Sequence, residues 1–254
     1  MSMDLGTIIG SKIQTSAKIN GLWVPANQFG AVLQRFTEPA LFYNPDFPDY
    51  DLSLVGTLTK IKKGEKFFCL VSAHQAESFE MQQLCLPANE TGNFTSSNAC
   101  HYTASPMFGE EKFDLRLYDF SEPVAFQSLS KLGWFDVTEE TGQRFRSEVK
   151  IHVAIGHPFE TTTLQYDPKH LVAQPCEVMG KGTVSTIRGR CAFQLLQPLE
   201  FDPDGFSGSP VFGIFVEGDK VFVEFEGIVT NASKSVFNYV HREIIDKYID
   251  RIFL

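Results

Sequence analysis

The 254-residue sequence has no long apolar run, no cluster of basic residues and few cysteines. Each shortage excludes a class of protein. A membrane-spanning helix needs roughly 20 consecutive apolar residues. No stretch approaches that, and no membrane partner is expected. Lys and Arg number 22 against 31 Asp and Glu, and no basic run is longer than Lys62-Lys63. Nucleic-acid binding rests on clustered cations that neutralise phosphates. With a formal net charge of −9, no nucleic-acid partner is expected. The five cysteines, Cys69, Cys85, Cys100, Cys176 and Cys191, are odd in number and scattered. They predict reduced thiols and a cytoplasmic location. Met1-Ser2-Met3-Asp4-Leu5-Gly6 lacks the positive segment and apolar core of a secretory signal, which fits that expectation. Cys100-His101 has no paired ligand spacing around it, so neither a metal nor a cofactor is expected. No internal repeat is visible.

What is present is aromatic and alternating. Hydrophobic residues make up 43% and charged residues 21%, a balance suited to a globular chain with a sizeable core. The 24 phenylalanines fall largely in strand-like runs such as Val221-Phe222-Val223-Glu224-Phe225, and bulky aromatics suit a pleated, half-buried surface. One hairpin is predicted from Leu54 to Ile61, a turn at Lys62-Lys63-Gly64-Glu65, and Lys66 to Val71. A second runs from Val211 to Val216, turns at Glu217-Gly218-Asp219-Lys220 and returns through Val221 to Thr230. Pro87 to Ser105 is polar and reads as a long loop. Strand patterns resume at Val149 and continue through Thr183 to Ile187. In the tail, Val240, Ile244, Tyr248, Ile249 and Ile252 stand at helical spacing.

Gly205-Phe206-Ser207-Gly208-Ser209-Pro210 is the stretch that carries chemistry. Its glycines permit a tight turn, in which the N–H groups of Gly205 and Ser207 can face one hole. Such a hole holds the negative charge that develops on an attacked carbonyl oxygen. A serine hydroxyl becomes a nucleophile when an imidazole takes its proton, and a carboxylate fixes that imidazole's tautomer. His74 follows the apolar run Phe67 to Val71 and the small pair Ser72-Ala73, the pattern of a ring presented where a strand ends. Asp114 opens the alternating Phe113-Asp114-Leu115-Arg116-Leu117, with Asp119 as a nearby competitor. The remaining histidines, His101, His152, His157, His170 and His241, lack such a context and read as surface or turn residues.

His, Asp and Ser in that chain order resemble the chymotrypsin/trypsin-like serine peptidases, in the manner of bacterial trypsin-like domains. Val71-Ser72-Ala73-His74 is similar to the family's T-A-A-H, and Asp114-Leu115-Arg116-Leu117 to its D-[IL]-A-L. Gly156-His157-Pro158-Phe159 resembles a G-x-P-x turn, and Gly227-Ile228-Val229-Thr230 the strand that binds substrate backbone. The resemblance implies His74 as general base, Asp114 as its orienter, Ser207 as nucleophile, and Gly205 and Ser207 as backbone oxyanion donors. It implies Phe201 at the floor of the specificity pocket with Asp202 beside it, and Thr230 and Ala232 along the wall. That pocket implies a preference for an uncharged residue, small or medium and apolar, before the cleaved bond. Phe206 stands where secreted members carry an aspartate that pairs with a freed N-terminus, so Ile8-Ile9-Gly10 is not read as an activation site.

The fold so implied is all-β: two antiparallel six-stranded β-barrels with a C-terminal α-helix. The expected layout is an N-terminal arm over 1–28, a first barrel over 29–122 and a connection over 123–146. A second barrel follows over 147–236, and the helix over 237–254. The expected activity is peptide-bond hydrolysis through an acyl-enzyme, with a protein or peptide substrate and a regulatory protein partner. A silent peptide-binding module on the same fold, or an esterase using the same residues, are the alternatives.

Overall fold

The computed structural model describes residues 16–46, 51–78, 83–88, 93–102, 113–138, 149–165, 170–217 and 220–253. The first strands, β1 (Ser16–Ile19) and β2 (Leu22–Pro25), form a hairpin. Then come β3 (Thr37–Tyr43), β4 (Leu52–Lys63), β5 (Lys66–Val71), β6 (Leu84–Pro87), β7 (Phe94–Ser96), β8 (Ala99–Tyr102), β9 (Arg116–Asp119) and the short β10 (Phe135–Asp136). The second half contains β11 (Ile151–Gly156), β12 (Thr162–Gln165), β13 (His170–Ala173), β14 (Cys176–Thr183) and β15 (Cys191–Leu195). It ends with β16 (Pro210–Glu217), β17 (Lys220–Ala232), β18 (Val236–His241) and a helix, Arg242–Phe253.

Two large sheets organise these strands, and β12 and β13 pair separately as a two-stranded sheet. In the second half, β16-β11-β14-β15-β18-β17 closes through the β16–β17 pairing into a six-stranded barrel. In the first half, β7-β6-β3-β4-β5-β9-β8 curls but stays open, and β10 adds alongside β4. The architecture is therefore a closed six-stranded barrel and an open seven-stranded half-barrel, which corrects the expectation of two closed six-stranded barrels. The strands at the rims, β7 and β8, lie in the stretch read as one long polar loop. They are three and four residues long, too short to show a clear alternation.

Burial explains why the strands form where they do. Phe42, Phe68, Phe120, Phe193, Phe206, Phe212, Phe225 and Phe237 are fully buried, each contributing about 2–3 kcal/mol of apolar transfer. One core fills the closed barrel around Phe193, Phe206 and Phe237. Another lies between the halves around Phe68, Phe212 and Phe225 and takes in Ile245, Tyr248 and Ile249 of the helix. The helix is also tied to β4 by Lys63 Nζ, 2.5 Å from Asp250 Oδ1 and 3.4 Å from Asp246 Oδ1. Residues 237–241, grouped with the helix by sequence, belong to the barrel strand β18, so the helix starts at Arg242. β1 pairs in parallel with β17, which extends the second sheet by the N-terminal hairpin. Residues 1–15, Ile8-Ile9-Gly10 among them, and the turn residues 218–219 lie outside the described residues. All five cysteines are free thiols. Among the described residues no helix is long and apolar enough to cross a membrane.

Candidate active site

His74 is presented by a capped turn. β5 ends at Val71, and Ser72 opens a short helical turn, Ala73–Ala76, in which Gln75 Oε1 accepts the Ser72 N–H at 2.7 Å. Burial of Gln75 and Ala76 anchors the turn and leaves the His74 ring on the outer side. Asp114 lies between the buried Phe113 and Leu115, just ahead of β9. Its Oδ1 accepts the His74 backbone N–H at 2.9 Å, and its Oδ2 is 2.6 Å from His74 Nδ1. The other ring nitrogen, Nε2, is 3.0 Å from Ser207 Oγ. The competitor Asp119 is engaged elsewhere, accepting the Ser121 N–H at 2.7 Å.

The charge states follow from this geometry. Burial pushes the Asp114 carboxyl up, but the hydrogen bonds from the His74 ring and backbone, with the His74 and Arg190 charges, outweigh it and hold the carboxyl below its ordinary value. An ionised Asp114 only accepts hydrogen bonds, so neutral His74 carries its proton on Nδ1 and offers the Nε2 lone pair to the Ser207 hydroxyl. The Asp114 hydrogen bond raises the His74 pKa above its usual 6.5, against an opposing effect of burial.

The loop carrying Ser207 can be accounted for group by group. A planar trans peptide directs its C=O and N–H in opposite directions, so pinned carbonyls also aim the amides. The carbonyl of Asp204 accepts from Phe159 N at 3.0 Å, that of Phe206 from Ser209 N at 3.0 Å, and that of Ser207 from Thr57 N at 3.1 Å. The Gly205 carbonyl accepts from Thr57 Oγ1 at 2.6 Å and the Gly208 carbonyl from Thr59 Oγ1 at 2.7 Å. The N–H groups of Phe206, Gly208 and Ser209 all donate, to Pro203, Val229 and Phe206 carbonyls respectively. Those of Gly205 and Ser207 donate to no described residue. Gly205 has φ +98°, and a Cβ on it would come within 2.7 Å of the His157 carbonyl. Phe206 is fully buried and meets the Phe237 ring edge-on at 5.0 Å, an apolar anchor for the loop.

A cleft of about 470 Å³ opens beside Ser207, lined by His74, Asp114, Arg190, Asp204, Thr230 and Ala232 among others. Thr230 and Ala232 are thus brought to the cleft, while Phe201 and Asp202 do not line it. Phe201 packs toward the apolar interior of the closed barrel and borders a different groove with Cys176, Met179 and Leu196. Four residues of the site went unnoticed in the sequence: Thr57, Thr59, Gln75 and Arg190. Thr57 and Thr59 are both fully buried on β4, where threonine is an ordinary strand residue. Arg190 Nε donates to Thr230 Oγ1 at 3.2 Å, and its guanidinium lies 5.4 Å from the Phe113 ring. Nothing local in the sequence marked it.

His152 and His241 are buried strand residues, which corrects their reading as surface or turn residues; His157 stands at a turn, as read, but is buried there. His157 follows β11, directly behind the Ser207 loop, and neither ring nitrogen has a hydrogen-bond partner among the described residues. Burial, with the nearby Lys60 charge, pushes its pKa down to about 4. The unfolded chain takes up this proton near pH 6.5 and the folded one only near 4, so stability present at neutral pH is lost as pH falls across that interval. The expected loss is about 3 kcal/mol. His74, with its raised pKa, contributes in the opposite sense. Urea denaturation of wild type and His157→Leu at pH 7 and pH 4.5 isolates the effect: the variant should lose markedly less on acidification. Equal losses in both proteins would place the acid sensitivity elsewhere.

The architecture is shared with solved structures. A mutant of human heparin binding protein (CAP37) superposes with a TM-score of 0.55 at 11% identity, covering 87% of this chain and 92% of that one. The serine endoprotease from Yersinia pestis gives 0.49 at 14% identity, over 87% of this chain and 65% of that one. No family model matches the sequence, and no curated protein does. At such identities the likeness is one of fold: this is a chymotrypsin-like, all-β chain, structurally akin to proteins of the serine-protease fold. Among the described residues no three of His, Cys, Asp and Glu gather as metal ligands would.

Proposed function

We propose that the chain is a serine endopeptidase acting through an acyl-enzyme, with Ser207 as nucleophile, His74 as general base and Asp114 as its orienter. The observation that carries this reading is the line Asp114 Oδ2 to His74 Nδ1 to His74 Nε2 to Ser207 Oγ, at 2.6 and 3.0 Å. Ser207 Oγ attacks the substrate carbonyl while Nε2 takes the hydroxyl proton, and Asp114 stabilises the imidazolium that forms. The oxyanion is held by the N–H groups of Gly205 and Ser207, the two in the loop that lack an internal acceptor. His74 then protonates the leaving amine, and water, deprotonated by the same ring, releases the acid. The substrate is a peptide or protein segment lying along Thr230 and Ala232. The Ala232 methyl group narrows the wall and favours a small or medium uncharged residue before the cleaved bond. A partner protein that orders the loop around Gly205-Phe206 would regulate such an enzyme.

A fluorophosphonate probe tests the reading directly. Wild type should be labelled stoichiometrically at Ser207, and Ser207→Ala should not be labelled at all. A folded wild type that takes no label would favour a silent peptide-binding module instead.

A further inference from the structure

Thr57 reaches the Ser207 loop from the other half of the molecule. It lies on β4 of the open half-barrel and is fully buried. Its N–H donates to the Ser207 carbonyl at 3.1 Å. Its hydroxyl donates to the Gly205 carbonyl at 2.6 Å and accepts the His157 N–H at 2.7 Å. Its own carbonyl accepts from Gln75 Nε2 at 3.1 Å, and Gln75 is the residue next to His74. One residue therefore joins the His74 turn, the His157 turn and the Ser207 loop.

The hydroxyl has a specific consequence at Gly205. Glycine populates positive and negative φ about equally, so peptides flanking it reorient at low cost. Gly205 is held at φ +98°. The peptide before it is pinned through the Asp204 carbonyl by Phe159 N, and the one after it through its own carbonyl by Thr57 Oγ1. The Gly205 N–H belongs to the first of these peptides and the Ser207 N–H to the peptide beyond the second, so the peptide that Thr57 holds joins the two that carry the hole's donors. Without the Thr57 bond, the Gly205–Phe206 peptide is held only by the Phe206 N–H bond to Pro203 and by the buried Phe206 ring.

We propose that Thr57 is a positioning residue for the oxyanion hole: its hydroxyl, offered from the opposite sheet, holds the Gly205–Phe206 peptide, and through it the two flanking peptides whose N–H groups, those of Gly205 and Ser207, form the hole. The inference rests on the peptidase reading above. It implies that the hole is complete only while the two halves are docked. It also implies that the hydroxyl acts on transition-state stabilisation rather than on substrate binding, because Thr57 is enclosed and meets no substrate.

Thr57→Val keeps the shape and removes the hydroxyl, and Thr57→Ser restores it. With a short peptide ester, Thr57→Val should lower kcat about 10- to 100-fold, somewhat less than the loss of an oxyanion donor itself, with KM within about twofold of wild type. Affinity for a peptidyl trifluoromethyl ketone, whose adduct carries the oxyanion, should fall by a similar factor. Thr57→Ser should recover most of both. Amide hydrogen exchange at Phe206 and His157 should quicken in Thr57→Val, a readout independent of turnover. Should Thr57→Val fail to fold, Thr57→Cys, a weaker donor on a longer bond, takes its place with a smaller loss in the same direction. A labelled, active wild type matched in kcat by Thr57→Val, or a loss confined to KM, would overturn the positioning role alone. A wild type that takes no fluorophosphonate label would overturn the peptidase reading and this role with it.

Discussion

Replacing His74 by alanine is expected to lower kcat on the order of 10⁴- to 10⁶-fold, the range seen when a member of such a catalytic unit is removed. Ser207→Ala should fall in the same range, and the double variant should be no worse than the singles, because the two side chains act in one proton transfer. The wild-type rate should also report the His74 proton. The reactive form is the neutral ring, and the Asp114 hydrogen bond raises its pKa above 6.5. Activity should therefore fall as pH drops through a value above 6.5, with log kcat/KM approaching unit slope below it. Because Asp114 is held below its ordinary pKa, it stays ionised through this range, and a single ionisation should describe the acid limb. Stopped assays on a chromogenic ester across pH 5 to 9 would measure it. A rate flat from mildly acidic to neutral pH, or a His74→Ala variant within tenfold of wild type, would remove His74 from the base role.

A large effect on stability is expected at Gly208, which directly follows Ser207. Its φ is +84°, and a Cβ built on it would collide with the Thr57 carbonyl and come within 2.8 Å of Gln75 Oε1. Neither neighbour can give way easily, since the carbonyl belongs to a paired strand and the amide oxygen accepts the Ser72 N–H. Gly208→Ala should therefore cost about 3–5 kcal/mol, combining left-handed backbone strain with overpacking, and lower Tm by about 10 °C. Gly64→Ala is the control. Gly64 also has positive φ, +61°, but it turns between β4 and β5 with nothing within 4 Å of the added carbon. It should lose only the strain, about 1–2 kcal/mol. Equal destabilisation of the two in urea would mean that the contact between halves does not resist the methyl group.

Much of this was written in local pattern. The short apolar runs of β5, β11, β16 and β17 mark strands because such runs between turn residues suit a sheet covered on both faces. Of the tail residues at helical spacing, Tyr248 and Ile249 are buried and Ile244 and Ile252 partly so, while Val240 lies in β18 and Ile245 is buried in addition. His74, Asp114 and Ser207 were recognisable because each sits in a short motif that prepares its own backbone: small residues before the ring, an alternating strand after the acid, glycines around the serine. That the three side chains meet is a different matter, since His74 and Ser207 are 133 residues apart in sequence.

Residue order alone settled the β class, the terminal helix and the excess of acidic charge, and it singled out His74, Asp114 and Ser207 as candidates. Sheet closure was left to the tertiary structure, because it depends on whether the rims at β7 and β8 find partners, and no periodicity within a strand encodes its neighbour. So was the direction of Phe201: spacing from Ser207 put it under the cleft, but its ring turns to the apolar interior of the closed barrel, where burial outweighs position in the loop. The same holds for Thr57, whose hydroxyl bonds a carbonyl 148 residues away. A threonine in a strand has no distinguishing mark until the opposing loop is packed against it, and only that packing removes water and makes the hydrogen bond obligatory.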